Sequence, residues 1–432
     1  MNKMYIHQQP SATTIHRAIA QREVSAEGVL REAIARIEEL EPTLHAWKIL
    51  DTERALQVAR QLDARIAQGD TLGLLTGIPL AVKDILDTSD MPTGYGSVVY
   101  EGHKPITDAA VVHTVKEAGA IIVGKTVTTE FAYFTPGPTV NPWNTSCTPG
   151  GSSSGSAAAV ASGMVPLAFG TQTAGSLIRP ASYCGVFAIK PTHDLISTAG
   201  AKAFAPSLDT MGWLANSAQD LELMRAALQG ITFERLPDAT GLSLASCQTH
   251  EWAFMDASGQ FAWDVAHRRL SLAGTPITTL KLPEALSGLL QAQKTVMAYE
   301  AAQNLSLEAD QWAIQISRPI LELVSAGRAI QPENYDEAKR LADHGRRKVL
   351  ELMGDADALL VPAAPGEAPL AVNGTGDPVF SRVWTLLGLP CINVPGLLGP
   401  NGMPVGVQLV GRPNQERRLL AVAEKVHTIL ID

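Results

Sequence analysis

Cysteine is scarce in this 432-residue chain. It has only four, at positions 147, 184, 247 and 391, and no two form a CxxC pair. That spacing argues against a disulfide framework or a cysteine zinc site and fits free thiols in a reducing compartment. Positive charge is also short, with 34 Lys and Arg against 43 Asp and Glu and a net charge of −9. Such a balance argues against an extended nucleic-acid footprint, which needs a basic surface. Nowhere do about 18 uncharged apolar residues run together, the length a membrane span requires. The first residues carry no apolar leader segment either. The expected partners are therefore small molecules, with neither nucleic acid nor membrane, for a cytoplasmic monomer or homodimer. Internal repeats and low-complexity linkers are absent too, which favours one domain over residues 1–432.

What the chain does have is ordinary globular composition, 46% hydrophobic and 18% charged, with 36 Gly and 27 Pro for turns. Residues 1–70 read as packing helices. Ser25 caps an apolar run of helical spacing that Pro42 should end, and residues 52–68 repeat the pattern up to Gly69. From about residue 75 to 215 the texture alternates short β-branched runs with helical ones, including strands at 78–82 and 120–123 and a helix over 107–118. That alternation predicts an α/β core whose sheet is covered on both faces. Residues 285–352 read as a helical layer or cap. Strands return at 358–362, 391–395 and 405–410, and a helix closes the chain over 415–427.

Two motifs fail on context. Gly119 to Thr126 fits the Walker A spacing, but a helix precedes the first glycine and residues 120–123 are themselves a strand rather than a bare phosphate loop. Gly151-Ser152-Ser153-Ser154-Gly155 fits the nucleophile elbow of α/β-hydrolases, yet a polar turn replaces the strand that should lead into it. No histidine marks itself as a base; His103, His113 and His193, the nearest in sequence, read as surface or packing residues.

The chain concentrates Gly and Ser in one stretch, Pro149 to Pro180. Ser152 stands where a helix of small residues starts and Gly163 stops it. Residues 165–169 then read as a strand running back, and Gly170 should turn the chain to deliver Ser176 near Ser152. Lys83 leaves the strand at 78–82 by its carboxyl end, the edge where open α/β sheets hold their sites. A serine needs a base, and Lys83 can serve if burial keeps its amine neutral; adjacent Asp84 should point to the opposite face. Backbone N–H groups of residues 173–176 could then form an oxyanion hole. A structural Gly/Ser turn beside a surface lysine remains open as the alternative.

Several ordered segments resemble the amidase signature family. They are Val82-Lys83-Asp84, Gly150 to Ser156, Gly170 to Ala181, Cys184 to Thr192, Ser207 to Gly212 and Gly402 to Gly411, so the likeness spans nearly the whole chain. The resemblance implies a large mixed, mostly parallel β-sheet sandwiched between helical layers. It also implies Ser176 as acylated nucleophile, Ser152 as a bridging serine on a cis peptide bond and Lys83 as base. Thr173, Ala174, Gly175 and Ser176 would form the oxyanion hole, with Ser153, Arg179 and Asp84 in support. The implied activity is hydrolysis of a C–N bond in an amide, aryl amide or carbamate, without metal or organic cofactor. The alternative is the glutaminase subunit of a tRNA-dependent amidotransferase. The chain departs from the family pattern at Gln172, where an acid is usual, and at Ala174, where glycine is usual. Ala174 should crowd the turn if its backbone needs a glycine-only conformation. The chain is also somewhat short, with the loss expected between residues 235 and 350.

Overall fold

A computed structural model describes residues 11–432; residues 1–10 of the N-terminal segment lie outside them. Eleven strands form one sheet: β1 (Trp47–Leu50), β2 (Pro79–Lys83), β3 (Ile121–Thr126), β4 (Leu167–Gln172), β5 (Phe187–Lys190), β6 (Thr210–Ala215), β7 (Leu244–Gln248), β8 (Ile277–Lys281), β9 (Ala358–Pro362), β10 (Cys391–Leu398) and β11 (Pro404–Val410). Their spatial order is β1-β3-β2-β4-β6-β5-β10-β11-β9-β7-β8. The sheet is mixed and lies between helices, as the resemblance implied. Its parallel share is smaller than expected, however. Four pairings are parallel (β2 with β3 and β4, β7 with β8 and β9), and the other six are antiparallel. The reason is the antiparallel run β4-β6-β5-β10-β11-β9 through the centre.

The central strands are apolar on both faces because helices cover both. Helices Ser154–Ala161 and Ile178–Cys184 pack on one another; the first also lies on β4 and β2, and the second on β10 and β11. Helices Ala218–Gln229 and Ala257–Leu272 pack around the closing helix Glu416–Ile431. The expected helical layer is built around Leu289–Asn304, against which Arg318–Arg328, Pro332–Leu352 and Val379–Leu386 pack.

Two local expectations need correcting. Pro42 does not end its helix: Ala26–Leu44 runs two residues past it, and His45, in the left-handed region at φ 50°, closes the helix with its N–H on Glu41 O at 3.1 Å. Proline's fixed φ suits a helix, and near the end only one backbone bond is lost. Nor does Gly170 turn the chain. β4 continues through it, paired with Gly212 of β6, and the turn begins at Thr173. Glycine is there for close approach, since a Cβ would stand 2.3 Å from Leu177 Cδ1 and 2.8 Å from Ser153 Oγ.

Candidate active site

Lys83 is the last residue of β2 and is fully buried. Its Nζ lies 2.7 Å from Ser152 Oγ and 2.7 Å from Thr171 Oγ1. Burial pulls the Lys83 ammonium down to about 7, with Asp209 pulling the other way. The lysine can therefore be a neutral amine near neutral pH, which lets its lone pair accept a proton from Ser152.

The Gly151–Ser152 peptide bond is cis. Gly150 precedes it at φ 84°, where a Cβ would lie 2.8 Å from Pro180 Cα, so only glycine meets both demands. Arg179 holds the segment from below: Nη2 donates to Gly151 O at 2.6 Å and to Thr375 Oγ1 at 3.3 Å, and Nη1 donates to Gly376 O. Burial lowers the Arg179 guanidinium to about 10, still protonated at neutral pH. Ser153 joins the two Gly/Ser turns, its N–H donating to Ser176 O at 3.2 Å while its Oγ accepts from Thr171 N at 3.4 Å.

The turn bearing Ser176 is fastened by its carbonyls. Thr173 O accepts from Gln293 Nε2 at 3.0 Å, Ala174 O from Thr385 Oγ1 at 2.8 Å, and Gly175 O from Arg179 N at 3.1 Å. Among the described residues no protein group engages the N–H of Ala174, Gly175 or Ser176. A row of fixed carbonyls with free N–H groups opposite is an arrangement that can hold an oxyanion. Ala174 is not among the residues of positive φ, so its methyl imposes no backbone penalty. Gln172 replaces the usual acid as an acceptor: its Oε1 receives the N–H of Leu177 and of Ile178, and its Nε2 donates to Thr385 Oγ1.

Ser152, Thr173, Ala174, Ser176 and Arg179 line one cavity, walled by Tyr133, Phe134, Phe204, Met297 and Pro378. Asp84 is not brought to it. Its Oδ1 lies 3.1 Å from Lys125 Nζ and its Oδ2 accepts from Gly94 N, on the opposite face of the strand end. Lys125, the lysine of the Walker-like spacing, is the fifth residue of β3 and is buried in that pair. Thr171 and Asp209 sat inside segments already quoted, and their polar type next to a site was the available signal. Gln293 and Thr385 come from helices more than 100 residues downstream and gave none.

The family model of amidases matches residues 28–420, and the chain belongs to that family. It is accordingly an enzyme of the class that hydrolyses C–N bonds. Among its relatives are proteins named as the A-type subunit of glutamyl-tRNA(Gln) amidotransferase: that of Picosynechococcus sp. is 33% identical over 95% of this chain and 96% of its own length, and that of Anaeromyxobacter sp. is 33% identical over 94% and 93%. A solved structure described as a vestigial protein complex revealing the evolutionary origins of an s-triazine catabolic enzyme matches with TM-score 0.87, at 30% identity over 97% of this chain and 98% of that one. The peptide amidase of Stenotrophomonas maltophilia matches with TM-score 0.84, at 25% identity over 99% and 97%. These relatives overturn the expected partner set of small molecules without nucleic acid. A protein named for a tRNA, and as one subunit, is 33% identical to this chain over nearly the whole of both. Net charge is a sum over the surface and does not report a local patch or a partner chain that carries the contact. Among the described residues no helix is long and apolar enough to cross a membrane.

Proposed function

We propose that the chain hydrolyses a carboxamide through an acyl-enzyme on Ser176, and that it does so as the glutaminase subunit of a tRNA-dependent amidotransferase working with partner chains. The observation that carries the chemistry is the buried 2.7 Å contact between Lys83 Nζ and Ser152 Oγ, on the cavity Ser176 also lines. The likeness to glutamyl-tRNA(Gln) amidotransferase components along nearly the whole chain supports the role.

In this mechanism Ser176 Oγ attacks the amide carbon as its proton passes to Ser152 Oγ, and the Ser152 proton passes to Lys83 Nζ. The developing oxyanion is met by the N–H groups of residues 174–176, preorganised by Gln293, Thr385 and Arg179. Collapse expels ammonia with the proton returned along the same path. Water then attacks the ester, its proton passing through Ser152 to Lys83, and a proton returns to Ser176 Oγ as the carboxylic acid leaves. Ser153 and Arg179 position the cis segment.

A second reading, a free-standing amidase for aryl amides or carbamates, is favoured by the apolar wall of Phe134, Phe204 and Met297. One experiment separates the two. Ammonia release from glutamine by the chain co-expressed with its partner chains is compared with turnover of a panel of amides, anilides and carbamates by the chain alone, each against Ser176→Ala. Glutamine turnover that depends on partners supports the first reading, and panel turnover without them supports the second. Full activity in Ser176→Ala would remove both.

A further inference from the structure

Asp209 immediately precedes β6, and β6 pairs with β4 so that Thr210 faces Gln172. This register sets Asp209 beside the start of the turn that carries Ser176. Its Oδ1 accepts from Thr173 Oγ1 at 2.5 Å, and its Oδ2 accepts from the N–H of Phe204 and Ala205 at 2.8 and 2.9 Å. A cavity lined by Asp209 together with Thr171 and Thr173 adjoins the one that Ser176 lines, sharing Ala132, Thr173 and Phe204 with it. Thr171 is the hydroxyl that holds Lys83 Nζ. One partly buried carboxylate therefore binds Thr173 and lines the same cavity as Thr171.

We propose that Asp209 is a positioning residue that couples the turn bearing Ser176 to the end of the sheet bearing Lys83. The proposal rests on the reading of Lys83 as base and Ser176 as nucleophile. Burial raises the Asp209 carboxyl, and the three donors on it counter that rise by favouring its ionised form. An ionised Asp209 attracts a protonated Lys83 and so opposes the loss of its proton. The charges around this pair are few. Glu300 bears on Asp209; Lys202, on the cavity wall, is paired with Glu308; and Asp84 is paired with Lys125 on the far face. Asp209 thus does two things: it fixes Thr173, and it keeps the base from becoming neutral at too low a pH.

The test needs no natural substrate. Phenylmethylsulfonyl fluoride sulfonylates an activated serine: the Oγ–S bond forms, S–F breaks, fluoride leaves and the serine proton goes to the base. Its rate on the intact chain, read by mass, is measured from pH 5 to 9 for wild type, Asp209→Asn, Thr173→Val and Lys83→Ala. In Asp209→Asn the plateau falls and the acid limb moves down by about one unit, the low end for losing a nearby opposite charge. At pH 6 the rate relative to its own plateau then rises about fivefold. In Thr173→Val the plateau falls while the limb stays in place. A merely structural Asp209 would leave the limb unmoved, and that result overturns the proposal. If Asp209→Asn does not fold, Thr173→Val decides, and an unchanged plateau overturns the coupling. A Lys83→Ala variant that reacts like wild type removes the base itself, a different failure from an inert Lys83→Ala beside an unshifted Asp209→Asn.

Discussion

Gln172 Oε1 accepts the backbone N–H of Leu177 at 3.0 Å, across the turn that contains Ser176. With the second bond from Ile178 N it closes that turn into a fixed loop at the start of helix Ile178–Cys184. A neutral amide does here what a carboxylate would do, because the requirement is an acceptor of the right reach rather than a charge.

Removing that acceptor should cost stability and activity together. Gln172→Leu leaves two buried N–H groups unpaired and should destabilise by about 3 kcal/mol, at about 1–3 kcal/mol for each unsatisfied group. Gln172→Glu restores the acceptor and should recover most of the loss. Urea unfolding of the three proteins, with the rate of Ser176 sulfonylation beside it, checks this. Equal losses in both variants would point to the Nε2 donor on Thr385, which both lack, rather than to the acceptor.

Lys83 has a pH signature of definite sign. As a base it must be neutral, so kcat/KM should rise with pH and level off above about 7. Its stability effect has the same sign. The folded state, with a value near 7 against the ordinary 10.5, binds fewer protons than the unfolded chain between those limits, so stability rises with pH across that window. Below about 7 the buried ammonium weighs fully against folding. Lys83→Met should therefore be inactive yet more stable than wild type at pH 6, with the advantage shrinking towards pH 10. Thermal unfolding at the two pH values measures it.

The Asp84–Lys125 pair should prove structural. Asp84→Ala removes the buried carboxylate that favours the Lys125 ammonium, and breaking such a pair costs about 3–5 kcal/mol. ATP should not raise the melting temperature of the wild-type protein. An ATP-dependent rise lost in Lys125→Ala would restore the phosphate-loop reading.

Gly170→Ala tests the corrected role of that glycine. The new methyl would meet Leu177 Cδ1 at 2.3 Å and Ser153 Oγ at 2.8 Å, so the side chains between β4 and the cis segment must move. Overpacking of this kind costs about 1–3 kcal/mol. Activity should fall by more than stability alone explains, because Ser153 carries the N–H that holds Ser176 O. Sulfonylation at a temperature where both proteins remain folded separates the two effects.

By itself the sequence indicated the alternation of strands and helices and the small-residue helix beginning beside Ser152, and its family resemblance offered Lys83, Ser152 and Ser176 as candidates. All of these depend on periodicity, on Gly and Ser at turns, or on motifs that lie within a few residues of one another. The sheet order was not legible, because pairing such as β5 with β10 joins segments about 200 residues apart and leaves no local trace. Nor was Gly170 legible as a strand residue, since a glycine selected for close approach is indistinguishable in sequence from one selected for a turn. Only the tertiary structure put Thr171 on Lys83, Asp209 on Thr173, and Gln293 and Thr385 on the carbonyls of the Ser176 turn. The proposed site rests on those contacts, because a buried amine loses its proton readily only where few opposite charges surround it, and a turn presents its N–H groups only when its carbonyls are held elsewhere.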